Sequence, residues 1–376
     1  MQFTYIQDQQ ELLRYCQQVS HAEVLAVDTE FVRTRTLYPN LGLIQAYDGN
    51  ELALIDPVAI DDLEPFWQLL RDESLLKVIH SCSEDLEVFL QSGNCKPANM
   101  IDSQVIMSFL GHGLSMGYAA MIKHYLTLEL DKSESRTDWM KRPLSESQLH
   151  YAAADVLHLH QICERLFSDI NQVGFYQAAK LETQQQIEKK FTAIDADLLY
   201  LENKQAWKLQ PQQLLFLQHL LAWRYEQAVA RNLPLSFVAK EHTLMILAQR
   251  NPQSVGAMAN YDGVDILDVR HKGKAMLNVL KTANKEPVEV YPARLTRLDS
   301  YPNYKQVFKA VKQKIAELAK QQDLDPQIVA GKKQIHQFLS WFWQLNQQKI
   351  EKVDLLTGWR GQLFAKALAE FADNGF

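Results

Sequence analysis

Over the first 190 residues, short apolar runs alternate with stretches of helical period. The apolar runs predict strands at 2–6, 24–31, 41–47, 52–55 and 77–80. Turn signals at Tyr38-Pro39 and Asp48-Gly49 punctuate them, so the first four strands read as a largely antiparallel meander. Apolar residues spaced three and four apart predict helices at 61–71, 83–91, 103–110, 115–126 and about 145–168, the last opened by Ser145 with Glu146 just after it. Strands followed by helices predict an α/β layer domain over residues 1–190.

Beyond about residue 195 the strand signals stop and helices dominate. FTAIDADLLYLENKQAW at 191–207 reads as a linker, followed by helical segments at 210–290 and 295–373. The two repeat weakly. NLPLSFVAKEHTLMILAQ at 232–249 aligns with DLDPQIVAGKKQIHQFLS at 323–340, placing Val238-Ala239 on Val329-Ala330 at an offset of 91. A glycine turn follows each, YDGV at 261–264 and LTGW at 356–359, and a tandem pair of helical modules explains the match.

One stretch breaks its own pattern. LAVDTEF at 25–31 reads as a buried strand, yet it carries two acids. Side chains at i and i+2 share a face of a strand about 6–7 Å apart, so Asp28 and Glu30 would repel by roughly 2–3 kcal/mol at an effective dielectric near 20. Two more acids keep apolar company. Asp85 stands where the strand of VIHSCSEDLEVFL runs into a helix, and Asp155 lies in QLHYAAADVLHLH. There Tyr151 and Asp155 share a helix face, and the three alanines between them admit another element.

A divalent cation turns such repulsion into ligation, and hard ions such as magnesium select carboxylate oxygens. Two ions about 3.5–4 Å apart would use all four acids and act on a phosphodiester, one side activating water and the other stabilising the leaving oxygen. Tyr151 would orient that water. Taken singly, each residue has an ordinary reading: a salt-bridged DxE pair, a helix-dipole partner at Asp85, a packing tyrosine. Only the set is specific.

The chain has 376 residues, 47% hydrophobic and 22% charged, enough for two or three domains. It holds no run approaching the ~18 apolar residues of a membrane span, and its N-terminus lacks a secretory pattern, so a cytoplasmic location is expected. Cys16, Cys82, Cys95 and Cys163 form no CxxC pair, which points to reduced thiols. The net charge of −6 conceals an asymmetry: residues 1–190 hold 15 Lys+Arg against 27 Asp+Glu, a net of −12, and residues 191–376 hold 24 against 18, a net of +6. The basic half suits a polyanion, and a chain cut near residue 200 would then keep its chemistry and lose affinity. Candidate substrate contacts are Arg33 with Arg35, and Lys132 with Arg136 on a shared helical face, unless the latter pair partners Glu134 and Asp138. Phe31 could stack on a terminal base, with core packing the better-supported reading. The histidines receive no role.

DTE at 28–30, the Asp85 segment and YxxxD at 151–155 resemble the three exonuclease motifs of the DEDD superfamily, tyrosine subclass. The phrases DTEFVRTRTLYPNLGLIQ, HSCSEDLEVF and LDKSESRTDWMKRPLSESQLHYAAADV are similar to the bacterial ribonuclease D family across residues 1–190. The two helical segments resemble, more loosely, HRDC domains, the second departing most in its lysines Lys309, Lys312, Lys314, Lys332 and Lys333. The resemblance implies a ribonuclease H-like exonuclease domain with a mixed sheet, then two all-α HRDC-like domains. It assigns metal ligation to Asp28, Glu30, Asp85 and Asp155, water positioning to Tyr151, and two divalent ions, Mg2+ or Mn2+, as cofactors. It also implies 3'-to-5' release of 5'-phosphomononucleotides from RNA with a single-stranded 3' end, notably tRNA precursors, with no membrane and no obligate protein partner. The rivals are a DNA-directed proofreading-type exonuclease and a non-catalytic RNA-binding protein on the same scaffold. The intact acids and Tyr151 argue against the latter.

Overall fold

The computed structural model describes residues 2–131, 134–346 and 352–375. Its N-terminal unit is built on six strands, β1 (Thr4–Ile6), β2 (Val24–Val32), β3 (Asn40–Tyr47), β4 (Leu52–Ile55), β5 (Leu76–Ile79) and β6 (Met100–Asp102), in the order β1-β4-β3-β2-β5-β6. The mixed α/β sheet expected from the pattern is present. The meander is correct only for β2, β3 and β4, which pair antiparallel. β1 instead pairs parallel with β4, because a helix not anticipated from the pattern, α1 (Gln9–Val19), carries the chain back across the sheet. Asp8 caps that helix, accepting from the N–H groups of Gln10 and Glu11. β6 also went unanticipated, since three residues are too short to display a period.

Successive residues of β2 serve opposite faces. Leu25 and Val27 join the core beneath α1, α2 (Glu64–Arg71) and α3 (Asp85–Gly93), with Phe66, Trp67, Leu86 and Phe89. Ala26 joins the other core, with Leu43, Leu54 and Val78, beneath α4 (Ser103–Phe109), α5 (Tyr118–Leu126) and α6 (Glu146–Gln172). A box in which Ser145 and Gln148 satisfy each other's backbone opens α6. Its Ala152 and Ala153 are fully buried, giving the close approach expected of them. α7 (Tyr176–Phe191) then packs along β6, where the Asp102 N–H donates to Thr183 Oγ1 at 3.1 Å.

Residues 191–207 are more than a tether. They form two short 3-10 turns that bury Tyr200, Leu201 and Ala206 in the core of the first helical module. That module comprises α8 (Pro211–Arg231), α9 (Leu235–Val238), α10 (Glu241–Arg250), α11 (Val255–Ala259) and α12 (Ile266–Ala283). The second comprises α13 (Tyr304–Gln321), α14 (Pro326–Val329), α15 (Lys332–Phe342) and α16 (Gly358–Asp373). The repeat is real: α9 and α14 each span four residues, and their start and end points both differ by 91. Asn232 and Asp323, one repeat apart, both adopt left-handed backbone with φ of 49° and 51°.

The modules attach differently. Trp359 of the second sets its ring edge-on to Phe109 of α4 at 5.0 Å, making one continuous apolar core with the N-terminal unit. Arg360 donates to Glu182 of α7 and to the carbonyls of Ile328 and Val329. The first module keeps its own core and reaches the N-terminal unit through Asn232, whose Oδ1 accepts from Leu37 N (3.1 Å) and Tyr38 N (3.0 Å). A cut near residue 200 would therefore strip part of the core, contrary to the expectation that it leaves the chemistry undisturbed.

Candidate active site

Asp28 and Glu30 project from β2 toward α6, in register with Gln45 and Leu43 of β3. Asp155 descends from α6, which packs across β2, β3 and β4. Asp85 begins α3 just beyond β5, the parallel neighbour of β2. Thr29, between the two strand acids, points the other way, and its hydroxyl donates to Asp85 Oδ1 at 2.5 Å. The loop between β5 and α3 is held from below. The Asp102 carboxylate accepts from Ser81 N (2.8 Å), Cys82 N (2.9 Å) and Gln104 N (2.8 Å), which holds Ser81 at a φ of +61° that side chains seldom adopt.

Asp85 and Asp155 are 6% and 9% exposed, while Asp28 and Glu30 are half-buried. Burial, then the charge of Asp155, pushes Asp28 well above the usual carboxylate range. Burial and Asp28 do the same to Asp85, partly offset by the Thr29 hydroxyl. Glu30 is pushed up to about 10 by burial, then by Asp28, Asp155 and Asp85, and burial lifts Asp155 to about 7. Tyr151, one helical turn before Asp155 on α6, is raised by burial and by Asp155, Glu30 and Asp28. Through their charges these five residues, from β2, α3 and α6, act on one another.

Four carboxylates with no histidine or cysteine in the set form the donor chemistry of a hard divalent cation. Among the described residues, no three His, Cys, Asp or Glu side chains are disposed to hold an ion as they stand. The residues present fit a divalent metal, because an added positive charge would relieve the strain that now favours their protonated forms.

The candidate substrate contacts fare unevenly. Arg33 Nη2 pairs with Glu87 of α3 at 3.0 Å, and Phe31 packs half-buried against the α1–α3 core. Arg35 is exposed with φ +60°. Arg136 is exposed on a turn at 134–136 rather than on the helix expected there, and Lys132 lies outside the described residues. Sequence reading missed Thr29, Asp102 and Tyr118. The Tyr118 hydroxyl donates to the Asp155 backbone carbonyl, and burial followed by Asp155 and Asp28 raises it above the ordinary tyrosine range. A threonine between two motif acids and an Asp-Ser pair closing a strand were the available signals. Tyr118 carried none.

The 3'-5' exonuclease profile matches residues 3–171, the HRDC domain profile residues 213–280, and the profile of the C-terminal HRDC domain of ribonuclease D residues 302–368. Ribonuclease D of Shewanella sp. (strain ANA-3) is 41% identical over 98% of this chain and 94% of its own length. The chain belongs to the ribonuclease D family. Ribonuclease D of Escherichia coli (strain K12) is 38% identical over 98% of each chain. The crystal structure of E. coli RNase D, described as an exoribonuclease involved in structured RNA processing, matches with a TM-score of 0.96 over the whole of both chains at 37% identity. As a ribonuclease D, the chain is a 3'-to-5' exoribonuclease with an exonuclease domain followed by helical HRDC domains, and its class implies dependence on a divalent metal.

Proposed function

We propose that Asp28, Glu30, Asp85 and Asp155 hold two divalent ions, Mg2+ or Mn2+, and that the chain trims single-stranded 3' ends of RNA, tRNA precursors among them, in the cytoplasm. The observation that carries this reading is the placement of four buried or half-buried acids on adjoining elements, two on β2, one opening α3 and one on α6 where it packs across β2, with Tyr151 one helical turn before Asp155. When bound, such ions activate the attacking water and neutralise charge on the leaving oxygen. The residues themselves have distinct tasks. Thr29 fixes the Asp85 carboxylate, the Tyr118 hydroxyl fixes the α6 backbone at Asp155, and the Tyr151 hydroxyl, kept protonated by burial and then by the neighbouring acids, orients the attacking water. Arg35 and Arg136, both exposed, are the phosphate contacts in this reading, whereas Arg33 is committed to Glu87. No obligate protein partner is invoked, and among the described residues no helix is long and apolar enough to cross a membrane.

The test is incubation of the purified protein with a 3'-extended tRNA and with matched single strands of RNA and DNA, in magnesium, manganese or chelator. Stepwise release of 5'-mononucleotides from the RNA 3' end, abolished by chelator, is the expected result. Faster digestion of the DNA strand would reassign the substrate, and digestion in chelator would remove the metal roles.

A further inference from the structure

Gln45 stands on β3 inside the apolar run LGLIQAY at 41–47 and is fully buried. In register, it lies between Asp28 of β2 and Leu54 of β4. Directly opposed side chains share a face with Cβ atoms about 4.5–5.5 Å apart, so Gln45 points with Asp28 toward α6. Its surroundings on that face are apolar, with Leu43 and Leu54 in the same core. Among the described residues, neither Nε2 nor Oε1 of Gln45 has a hydrogen-bond partner.

A buried amide with both ends unpaired destabilises the position it occupies, and methionine or leucine would fill the volume without that loss. Such a residue calls for a second state in which it is paired. Asp28 is the opposed acceptor within reach. A carboxylate that ligates a metal through one oxygen is oriented by a donor at the other, and losing such an outer partner typically costs about 10- to 100-fold in metal affinity or activity. We propose that Gln45 is a positioning residue whose Nε2 donates to the Asp28 carboxylate in the metal-holding state and sets its ligating rotamer. This rests on the reading of Asp28 as a ligand.

Gln45→Met keeps length and volume while removing both polar ends, and Gln45→Leu is a smaller second variant should methionine crowd the site. Three quantities decide: the Kd for Mg2+ and Mn2+ by calorimetric titration without RNA, the melting temperature in chelator, and kcat and KM on a short oligoribonucleotide. The variant should melt in chelator at the wild-type temperature or above it, bind either cation about 10-fold more weakly, and lose kcat at limiting metal with KM for RNA unchanged. An unchanged cation Kd overturns the role, and an unchanged Kd with a lowered melting temperature would make Gln45 a structural residue only. If the wild type itself takes up neither cation, the ligand reading fails. Equal uptake by both proteins removes only the role of Gln45.

Discussion

The two helical modules descend from the same sequence pattern yet hold to the catalytic unit in opposite ways. The second drives Trp359 against Phe109 and seats Arg360 on Glu182, with Lys189 reaching Asp354 at 3.0 Å, so apolar burial and charge cooperate. The first spends its apolar residues on its own core and meets the catalytic unit through Asn232, its side chain and its carbonyl both accepting from the 37–38 backbone. One repeat along, Asp323 makes the same left-handed turn and stays exposed. A helix-ending residue at this position is thus needed for its backbone in both modules and for its side-chain contact in one. The positive charge divides just as unevenly: residues 191–290 hold 11 Lys+Arg against 10 Asp+Glu, and residues 291–376 hold 13 against 8. The basic module is the one built into the catalytic core.

The largest effect is expected from removing the second module. Ending the chain before α13 should leave a catalytic unit that aggregates or loses cooperative melting. Excising the first module behind a flexible bridge should preserve metal-dependent hydrolysis of short oligomers. Equal tolerance of both deletions would erase the contrast. Next, Arg360→Ala leaves Glu182 with only the Trp359 indole N–H in place of its charged partner and should lower stability by about 3–5 kcal/mol, read by urea unfolding. A loss under about 1 kcal/mol would make the docking superficial.

Charge gives a third comparison. In chelator, acids whose folded pKa is raised stabilise the fold fully below their ordinary range near 4, and lose that contribution as pH rises through the folded value. Asp155, lifted to about 7, should therefore make melting temperature fall between pH 5 and pH 8, and Asp155→Asn should flatten the fall. If the second module is part of the same core, α16 will follow that slope. Fourth, Lys305, Lys309 and Lys312 lie exposed along α13, and their joint change to Ala should flatten log affinity for RNA against log salt by up to about 2. An unchanged slope would move RNA capture elsewhere. The smallest effect belongs to Asn232→Gly, which keeps the left-handed turn and removes two acceptor bonds. It should cost about 1 kcal/mol and speed amide exchange at Tyr38 more than at Leu37, whose N–H keeps the Asn232 carbonyl, and Asp323→Gly should leave both amides unchanged.

Much of this was legible along the chain because it is local. Asp28 and Glu30 interrupt an apolar strand, Tyr151 and Asp155 share a helix face, and the 91-residue offset survives in α9 and α14. What escaped depends on distant partners. β6 is a strand because Lys77, Val78 and Ile79 pair with it, and β1 is parallel because α1 returns it beside β4. Whether Trp359 fills its own module or another unit's flank cannot be written in a helical period. Tyr118 reaches Asp155 across 37 residues with no motif to mark it.

Native-state hydrogen exchange in rising urea tests the unequal attachment of the modules most directly. Amides of β2, α7 and α16 should converge on one opening free energy, while those of α8 and α12 follow a separate one. Convergence of α12 with β2, with α16 opening alone, would contradict it.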